Sequence, residues 1–277
     1  MTDLELKIKE KIYPFTTKIL DLVVNFEIIK YYNFIVNEDV DIKSVEKNYS
    51  YNNQLKNYKK NKIIVMNHSN CHDFPFINNV LKKHFFILSA RENLTGLEGF
   101  VIKMNGCIPI ERNNKSSRKK SADMIKYILS KGYDVLVMVE GTWNLSPSTP
   151  ILPFSWGIIN IARESNVEIL PIILEYDYDN KNCFANIGKM FNVNNYSDKK
   201  KCYDDLRDYM ATLRWNLWEF LSKQNQISVN KEKFDNYIKH LLEEYPKLNY
   251  EEEKKILYHT YDSYEEVMEP IKKLYRK

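Results

Sequence analysis

The chain has 277 residues, of which 44% are hydrophobic and 28% are charged, a balance typical of a folded protein and not of a disordered one. Its formal net charge of +4 comes without a dense basic stripe, which argues against a nucleic-acid-binding protein. The four cysteines form no CxxC pair, so we expect neither a zinc site nor a disulfide framework, but reduced cytosolic thiols.

The N-terminal segment, residues 1–45, is predicted to be helical and amphipathic. Its charged start is unlike a signal peptide, and no apolar run is long enough to predict a spanning helix. Residues 4–36 are predicted to form two helices broken near Pro14, with an apolar surface wider than an ordinary core stripe and flanking lysines. Two interpretations stay open: a helical hairpin packed on the core, or an anchor at a membrane surface.

Short apolar strands alternate with helices between residues 60 and 198, which predicts an α/β core domain. The predicted strands are residues 62–66, 84–90, 107–110, 133–139 and 168–175. The predicted helices are residues 69–83, 99–104, 116–130 and 158–164. Such alternation predicts a mostly parallel central sheet covered by helices. Residues 199–277 are predicted to be a helical C-terminal extension, with a break near Pro246 and Asn249.

Three of these strands end in polar residues, at the edge where open α/β sheets bind ligands. His68 follows the first strand, and Asp73 comes five residues later. The pair would meet if His68 lay in the turn before the helix and Asp73 in its first turn, and His68 could then act as a general base. The alternative is that Asp73 only stabilises the helix N-terminus and His68 is a polar turn residue.

Arg112 ends the strand at residues 107–110 and could contact phosphate or a carboxylate in a bidentate manner, or could simply pair with a surface acid. A basic stretch at residues 115–120 follows it, and could hold phosphates or solvate a helix start. Glu140 and Gly141 end the strand at residues 133–139, and present a carboxylate beside a close-approach backbone, or a solvated turn.

Taken together, these segments resemble the glycerolipid acyltransferase superfamily, which includes the 1-acylglycerol-3-phosphate acyltransferases. The resemblance covers about residues 60–178, and four motifs occur in the family's order. The first motif, Asn-His-x4-Asp (HX4D), is matched by Asn67, His68 and Asp73. The second is matched by Gly106, Ile108, Ile110 and Arg112, and the third in part by Glu140, Gly141 and Thr142. The fourth, an apolar strand with proline, is matched by residues 169–173.

The resemblance implies transfer of a fatty acyl group from a thioester to the hydroxyl of a glycerolipid such as 1-acylglycerol-3-phosphate, in phospholipid biosynthesis. His68 would be the general base and Asp73 would orient it. No metal or bound cofactor is expected, because acyl-CoA or acyl-carrier protein enters as a co-substrate with an activated acyl group. Residues implied to bind the substrate are Arg112, Glu140, Gly141, Thr142, Asn67 and Gly106, with backbone amides near Gly141 meeting the oxyanion.

The implied partners are a lipid acceptor, the surface of a membrane and, for a protein-bound donor, an acyl-carrier protein; nucleic acid is not among them. The expected location is cytoplasmic, peripheral on the inner face of the membrane. Both expectations rest on the resemblance together with the apolar, lysine-flanked N-terminal segment.

The chain departs from the family pattern at two cationic positions. Trp143 stands where the third motif has arginine, and Trp156 stands where a lysine is common soon after it. Tafazzin-like members of the superfamily share the first change and carry a similar Trp-Gly pair. The acceptor could therefore be a lysophospholipid, a sugar or an amine, unless Arg118 or another nearby cation supplies the charge. A catalytically inactive membrane-binding homologue is the alternative from another class.

Cys71 lies between His68 and Asp73 and raises a different mechanism, a thiol nucleophile that forms an acyl-enzyme. Neighbouring helical residues point in different directions, and the family treats this position as variable. We therefore favour an inert thiol over a Cys-dependent hydrolase.

Overall fold

The computed structural model describes residues 1–23, 33–38, 61–70, 72–81, 83–94, 96–146, 149–177 and 182–223, and the single positions 232, 236 and 239. The strands are β1 (Asn33–Glu38), β2 (Ile63–Met66), β3 (Phe85–Ala90), β4 (Cys107–Ile110), β5 (Asp134–Met138), β6 (Ile169–Asp177) and β7 (Asn182–Ile187). The helices are α1 (Asp3–Val23), α2 (Asp73–Leu81), α3 (Gly96–Gly106), α4 (Lys115–Ser130), α5 (Gly157–Ser165) and α6 (Lys199–Lys223). The five predicted core strands and the four helices between them are confirmed, with ends shifted by a few residues.

One seven-stranded sheet runs through the core in the order β1-β7-β6-β2-β5-β3-β4. The central strand β2 pairs in parallel with β5 on one side and with β6 on the other. β7 returns antiparallel to β6, and β1 pairs in parallel with β7. The predicted α/β class with a mostly parallel sheet is therefore confirmed.

Side chains of β2 alternate between two cores, one on each face of the sheet. Ile63 and Val65 pack with residues of α4, α5 and α6, whereas Ile64 and Met66 pack with residues of α2 and α3. All four are at most 1% exposed, and burying one such side chain stabilises the fold by about 1.5–3 kcal/mol. This burial on both faces fixes the point at which β2 ends, and His68 follows directly after that end.

Helix α1 runs through Pro14 without interruption, so the predicted break there is wrong. A proline inside a helix costs one backbone hydrogen bond and crowds the preceding turn. Contacts on either side of Pro14 offset this cost. The Tyr13 hydroxyl donates to Asn78 Oδ1 at 3.0 Å, and the Thr16 hydroxyl donates to Asn105 Oδ1 at 2.5 Å. These bonds hold α1 against α2 and α3.

The predicted N-terminal helix is confirmed. The prediction of a second helix is wrong for residues 33–38, the part of it that the structure describes. Residues 33–38 form β1, which pairs along its whole length with β7. Phe34, Ile35 and Val36 are aromatic or β-branched, and such residues favour a strand once a sheet edge is available. Residues 24–32 lie outside the described part of the chain. β1 therefore joins the sheet of the core.

Helix α6 confirms the helical start of the C-terminal extension, and it packs against β6 and β7 through the buried Leu206, Met210 and Leu213. Apart from positions 232, 236 and 239, which are helical, the remainder of the extension lies outside the described residues, including the predicted break near Pro246 and Asn249. Among the helices that the structure describes, none combines the length and apolar character needed to cross a bilayer.

We predict that Asp134→Asn will strongly destabilise the protein. Asp134 is 2% exposed and Lys62 is 3% exposed, and the Lys62 ammonium lies 2.9 Å from Asp134 Oδ2. Burial lowers the pKa of Lys62, and Asp134 is the group that opposes this effect. Removing the carboxylate leaves a buried cation without its counter-charge, which should cost about 3–5 kcal/mol of unfolding free energy in denaturant titration.

The control for this substitution is Glu164→Gln, which removes a partner of Lys126 at an exposed position. Its unfolding midpoint should stay near that of the wild type, because exposed ion pairs contribute little. Equal midpoints for Asp134→Asn and the wild type would show that the buried pair does not stabilise the fold.

Candidate active site at the end of strand β2

Strand β2 ends at Met66, and helix α2 begins at Asp73. The backbone N–H of Asp73 donates to the Asn70 carbonyl at 3.4 Å, and the Asn70 side chain accepts from the His72 N–H at 2.8 Å. Asp73 thereby becomes the first residue of α2, where the helix dipole favours an acid. The turn also folds His68 back towards Asp73.

His68 and Asp73 are in direct contact. His68 Nδ1 lies 2.7 Å from Asp73 Oδ2; the His68 side chain is 17% exposed and that of Asp73 is 1% exposed. Because a carboxylate oxygen can only accept, Nδ1 carries the proton and donates it to this bond. The other ring nitrogen, Nε2, is then the basic one. The contact that the five-residue spacing predicts is therefore present.

The Asp73 carboxylate accepts three further hydrogen bonds. Oδ2 also accepts from the backbone N–H groups of Ser69 at 2.6 Å and Asn70 at 3.2 Å. Oδ1 accepts from the Tyr176 hydroxyl at 2.6 Å, across from β6. All of these contacts suit an ionised carboxylate, which has only acceptor atoms. They hold Asp73 in one orientation against the His68 ring.

Asn67 bridges β2 to β6. Its Nδ2 donates to the Leu174 carbonyl at 2.8 Å, and its Oδ1 accepts from the Leu174 N–H at 2.8 Å. The side chain is buried, and its amide thus replaces the backbone pairing that stops at Met66. The sequence predicts Asn67 to bind substrate; its position in the structure instead fixes the start of the turn that carries His68.

Glu140 follows β5, and its carboxylate accepts a hydrogen bond from the backbone of His68. Its Oε2 accepts from the His68 N–H at 2.6 Å, while Oε1 accepts from the Leu152 N–H at 2.7 Å and from Asn144 Nδ2 at 3.0 Å. The Asn144 N–H in turn donates to the His68 carbonyl at 2.7 Å. Glu140 therefore holds the His68 N–H directly and the His68 carbonyl through Asn144. That Glu140 binds the acceptor, as the resemblance implies, stays a prediction.

The turn after Glu140 carries the rest of the third motif. Gly141 has φ of 67°, a left-handed conformation that favours glycine, and its N–H donates to the Met138 carbonyl at 3.1 Å. The resemblance implies that backbone amides near Gly141 meet the oxyanion. The amide of Gly141 itself already donates to a carbonyl within the turn. Thr142 is buried. Trp143 stands edge-on to the His68 ring, with centroids 6.2 Å apart at 82°.

Arg112 reaches this turn from the end of β4, because its Nη1 donates to the Gly141 carbonyl. Arg118 in the first turns of α4 donates from Nη1 to the Arg112 carbonyl at 2.5 Å. Gly106 precedes β4 with φ of 114°, and a side chain there would meet the Phe86 ring. Arg112 is thus held beside the Glu140 turn, while Gly106 serves the packing of β4.

Trp156 stacks on Tyr203 of α6, with centroids 5.0 Å apart at 6°, and is 42% exposed. The ring that stacks on Trp156 is therefore that of Tyr203, whereas the ring next to Trp143 is that of His68. Cys71 lies outside the described residues. The other cysteines, Cys107, Cys183 and Cys202, are buried free thiols. Within the described residues, no group of His, Cys, Asp and Glu is arranged to hold a metal ion.

Comparison with known proteins connects this geometry to a family. The family model described as Acyltransferase matches residues 42–175. This segment of the chain is therefore similar to acyltransferases. The fold is similar to that of the 1-acyl-sn-glycerophosphate (LPA) acyltransferase PlsC from Thermotoga maritima, with a TM-score of 0.56 and 17% sequence identity over 78% of this chain and 83% of that chain. A search of curated proteins finds no significant match.

Two residues of this site escape prediction from the sequence. Tyr176 contacts Asp73 from a strand more than a hundred residues away, and Asn144 reaches the His68 carbonyl from the loop after β5. Neither belongs to a motif. Tyr176 also lies one residue beyond the segment that the family model matches. The one feature of the sequence that could have indicated Tyr176 is its position near the end of β6, the strand that carries the fourth motif.

We predict that Glu140 makes stability depend on pH. Burial raises the pKa of Glu140 from 4.5 to about 7, although Arg214 and the His68 and Leu152 amides oppose the shift. Between these values the folded protein holds a proton that the unfolded chain has lost, so the unfolding free energy should fall as pH rises from about 4.5 to about 7. Thermal unfolding of the wild type and of Glu140→Gln measures this contribution.

The wild type should exceed Glu140→Gln in Tm by more at pH 5 than at pH 8, because the variant lacks the titrating group. Ile151→Val, a buried non-ionisable change beside Leu152, should give an offset that does not vary with pH. A wild-type advantage that grows with pH would mean that the ionised carboxylate is the stabilising form and would contradict the prediction.

Proposed function

We propose that this protein transfers a fatty acyl group from an acyl thioester to the hydroxyl of a glycerolipid acceptor, with His68 as the general base. The observation that carries the proposal is the His68–Asp73 contact of 2.7 Å at the carboxyl end of β2. The match of residues 42–175 to the acyltransferase family model supports the reaction class. The Thermotoga maritima protein of similar fold is a 1-acyl-sn-glycerophosphate acyltransferase, which supports a lysophosphatidate-like acceptor here.

In the proposed reaction, the acceptor oxygen attacks the thioester carbonyl carbon while His68 Nε2 takes the hydroxyl proton. The tetrahedral intermediate then collapses, the carbon–sulfur bond breaks, and the proton passes from the imidazolium to the leaving thiolate. Asp73 stabilises the imidazolium between these steps, since its Oδ2 already accepts from Nδ1. An ester and a free thiol are the products, with no acyl-enzyme between them.

Arg112 supplies the proposed contact with the acceptor headgroup. The guanidinium is held beside the Gly141 carbonyl, in the same turn that fixes His68. A guanidinium suits phosphate because it can donate two parallel hydrogen bonds. Trp143 occupies the neighbouring position where the family pattern has a second cation, and its ring edge faces His68. Trp143 favours the second candidate, an acceptor other than a phosphate monoester, such as a lysophospholipid, a sugar or an amine.

Replacing His68 tests the proposal. We expect His68→Ala to lower the release of free CoA from acyl-CoA by at least about 100-fold in the presence of 1-acylglycerol-3-phosphate, because a positioned general base contributes about 10²–10⁴-fold. His72→Ala is the matched control in the same segment and should retain turnover. Wild-type turnover by His68→Ala would remove the basis of the mechanism.

Two further arms separate the alternatives. Cys71→Ser should keep wild-type turnover; its loss together with active His68→Ala would favour the thiol mechanism. A panel of acceptors and of CoA and carrier-protein thioesters then ranks the substrates. Failure of the wild type to turn over any thioester with any acceptor would favour the catalytically inactive homologue.

We also propose that α1 rests on a membrane surface, with the enzyme peripheral on the cytoplasmic face. Leu4, Ile8 and Phe15 are between 48% and 67% exposed, and their spacing places them on one side of the helix. Lys11 and Lys18 lie exposed on the same side. The opposite side packs on the core through Leu6 and Thr16. An apolar face with interspersed lysines suits an anionic lipid surface.

Flotation with anionic phosphatidylglycerol vesicles tests this surface. The triple substitution of Leu4, Ile8 and Phe15 by Asn should reduce vesicle binding by at least about tenfold, since the apolar area that enters the interface is lost. Because all three side chains are exposed, the fold should be unaffected. The control is Trp215→Asn, because Trp215 is an apolar residue of α6 that is 60% exposed. Unchanged flotation of the triple variant would show that this face does not bind lipid.

A further inference from the structure

Tyr176 is a buried side chain at the active site that no sequence motif marks. It lies near the end of β6, is 4% exposed, and donates its hydroxyl hydrogen to Asp73 Oδ1 at 2.6 Å. His68 bonds the other oxygen of the same carboxylate. Tyr176 therefore does not need to touch substrate to affect the base, because Asp73 connects the two.

The sheet explains why this tyrosine reaches Asp73. Leu174 is pinned to the end of β2 by both hydrogen bonds of the Asn67 amide. Two residues further along a strand, the side chain returns to the same face of the sheet, which is the face covered by α2. The Tyr176 ring packs edge-on against Phe76 of α2, with centroids 5.5 Å apart. Its hydroxyl is thereby directed at Asp73, in the first turn of that helix.

The two oxygens of Asp73 have separate partners. Oδ2 accepts from His68 Nδ1 and from the N–H groups of Ser69 and Asn70, all within the turn. Oδ1 accepts from Tyr176, which belongs to a different strand of the rigid sheet. Fixing both oxygens prevents the carboxylate from rotating about its Cβ–Cγ bond. A hydrogen bond to Oδ1 also withdraws charge from Oδ2, so the carboxylate draws the His68 proton less strongly.

We propose that Tyr176 is a positioning residue that acts through Asp73 to set the orientation and the basicity of His68. The inference rests on the proposed function, because it gives Tyr176 a role in general-base catalysis. Three other ionisable groups face this site, and none of them is changed in the test variant below. Glu140 accepts from the His68 N–H. Cys183, opposite Tyr176 on β7, is buried, which raises the pKa of its thiol and keeps it neutral. Glu175 points to Arg214 and accepts from its Nε at 2.7 Å.

Tyr176→Phe is the test, because it removes only the hydroxyl and keeps the ring. We expect kcat to fall by about 10- to 100-fold, a part of what a positioned general base supplies, with KM for the acceptor within about twofold of the wild type. The acid limb of the pH profile of kcat/KM, where His68 gains a proton, should move to higher pH. The reason is that a carboxylate relieved of one donor stabilises the imidazolium more strongly.

Tyr13→Phe is the matched control, since Tyr13 is also buried and its hydroxyl donates to a side chain, Asn78 Oδ1, at 3.0 Å. It should keep the wild-type kcat and pH profile. If Tyr176→Phe kept the wild-type kcat, or if both variants lost activity in proportion to Tm with an unmoved acid limb, Tyr176 would have a packing role only and the proposal would be overturned. Failure of the proposed function is a different result, namely full turnover by His68→Ala.

Discussion

Two buried carboxylates, Asp73 and Glu140, impose the constraint on which the site depends. A carboxylate removed from water is costly unless donors surround it, and here the segment that carries His68 supplies donors to both carboxylates. Asp73 takes the His68 ring N–H and Glu140 takes the His68 backbone N–H. The backbone and the ring of one residue are thus fixed by two different acids. The same hydrogen bonds therefore satisfy the buried carboxylates and orient the His68 ring.

The fold was largely predictable because the decisive signals are local. Apolar strands of four to nine residues alternate with helices, and burial on both faces of β2 requires the continuous apolar run found there. The carboxyl ends of parallel strands meet at one edge, so the polar residues after β2, β4 and β5 had to converge. The contact between His68 and Asp73 was predictable for the same reason, since it is closed by a turn of six residues.

What the sequence could not reveal is which partner each polar group selects. By their places in the motifs, Glu140 and Asn67 were predicted to bind substrate. In the structure, each side chain accepts a hydrogen bond from a backbone N–H, Glu140 from His68 and Asn67 from Leu174. Tyr176 meets Asp73 only through the register of β6, a long-range property without a local pattern. Phe34 to Val36 illustrate the remaining ambiguity. A short apolar run fits a helix or a strand, and the exposed edge of β7 decided it.

The Glu140–Gly141 dipeptide contacts both His68 and Arg112. The Glu140 side chain holds the His68 N–H, and the next carbonyl, that of Gly141, receives the Arg112 guanidinium. The left-handed conformation of Gly141 reverses the chain there, so the side chain of one residue and the carbonyl of the next serve opposite sides of the turn. His68 and Arg112 are thus both hydrogen-bonded to one turn. Trp143 follows this turn and contacts the His68 ring, but it takes part in neither hydrogen bond, so its identity is independent of the bonds that position His68 and Arg112.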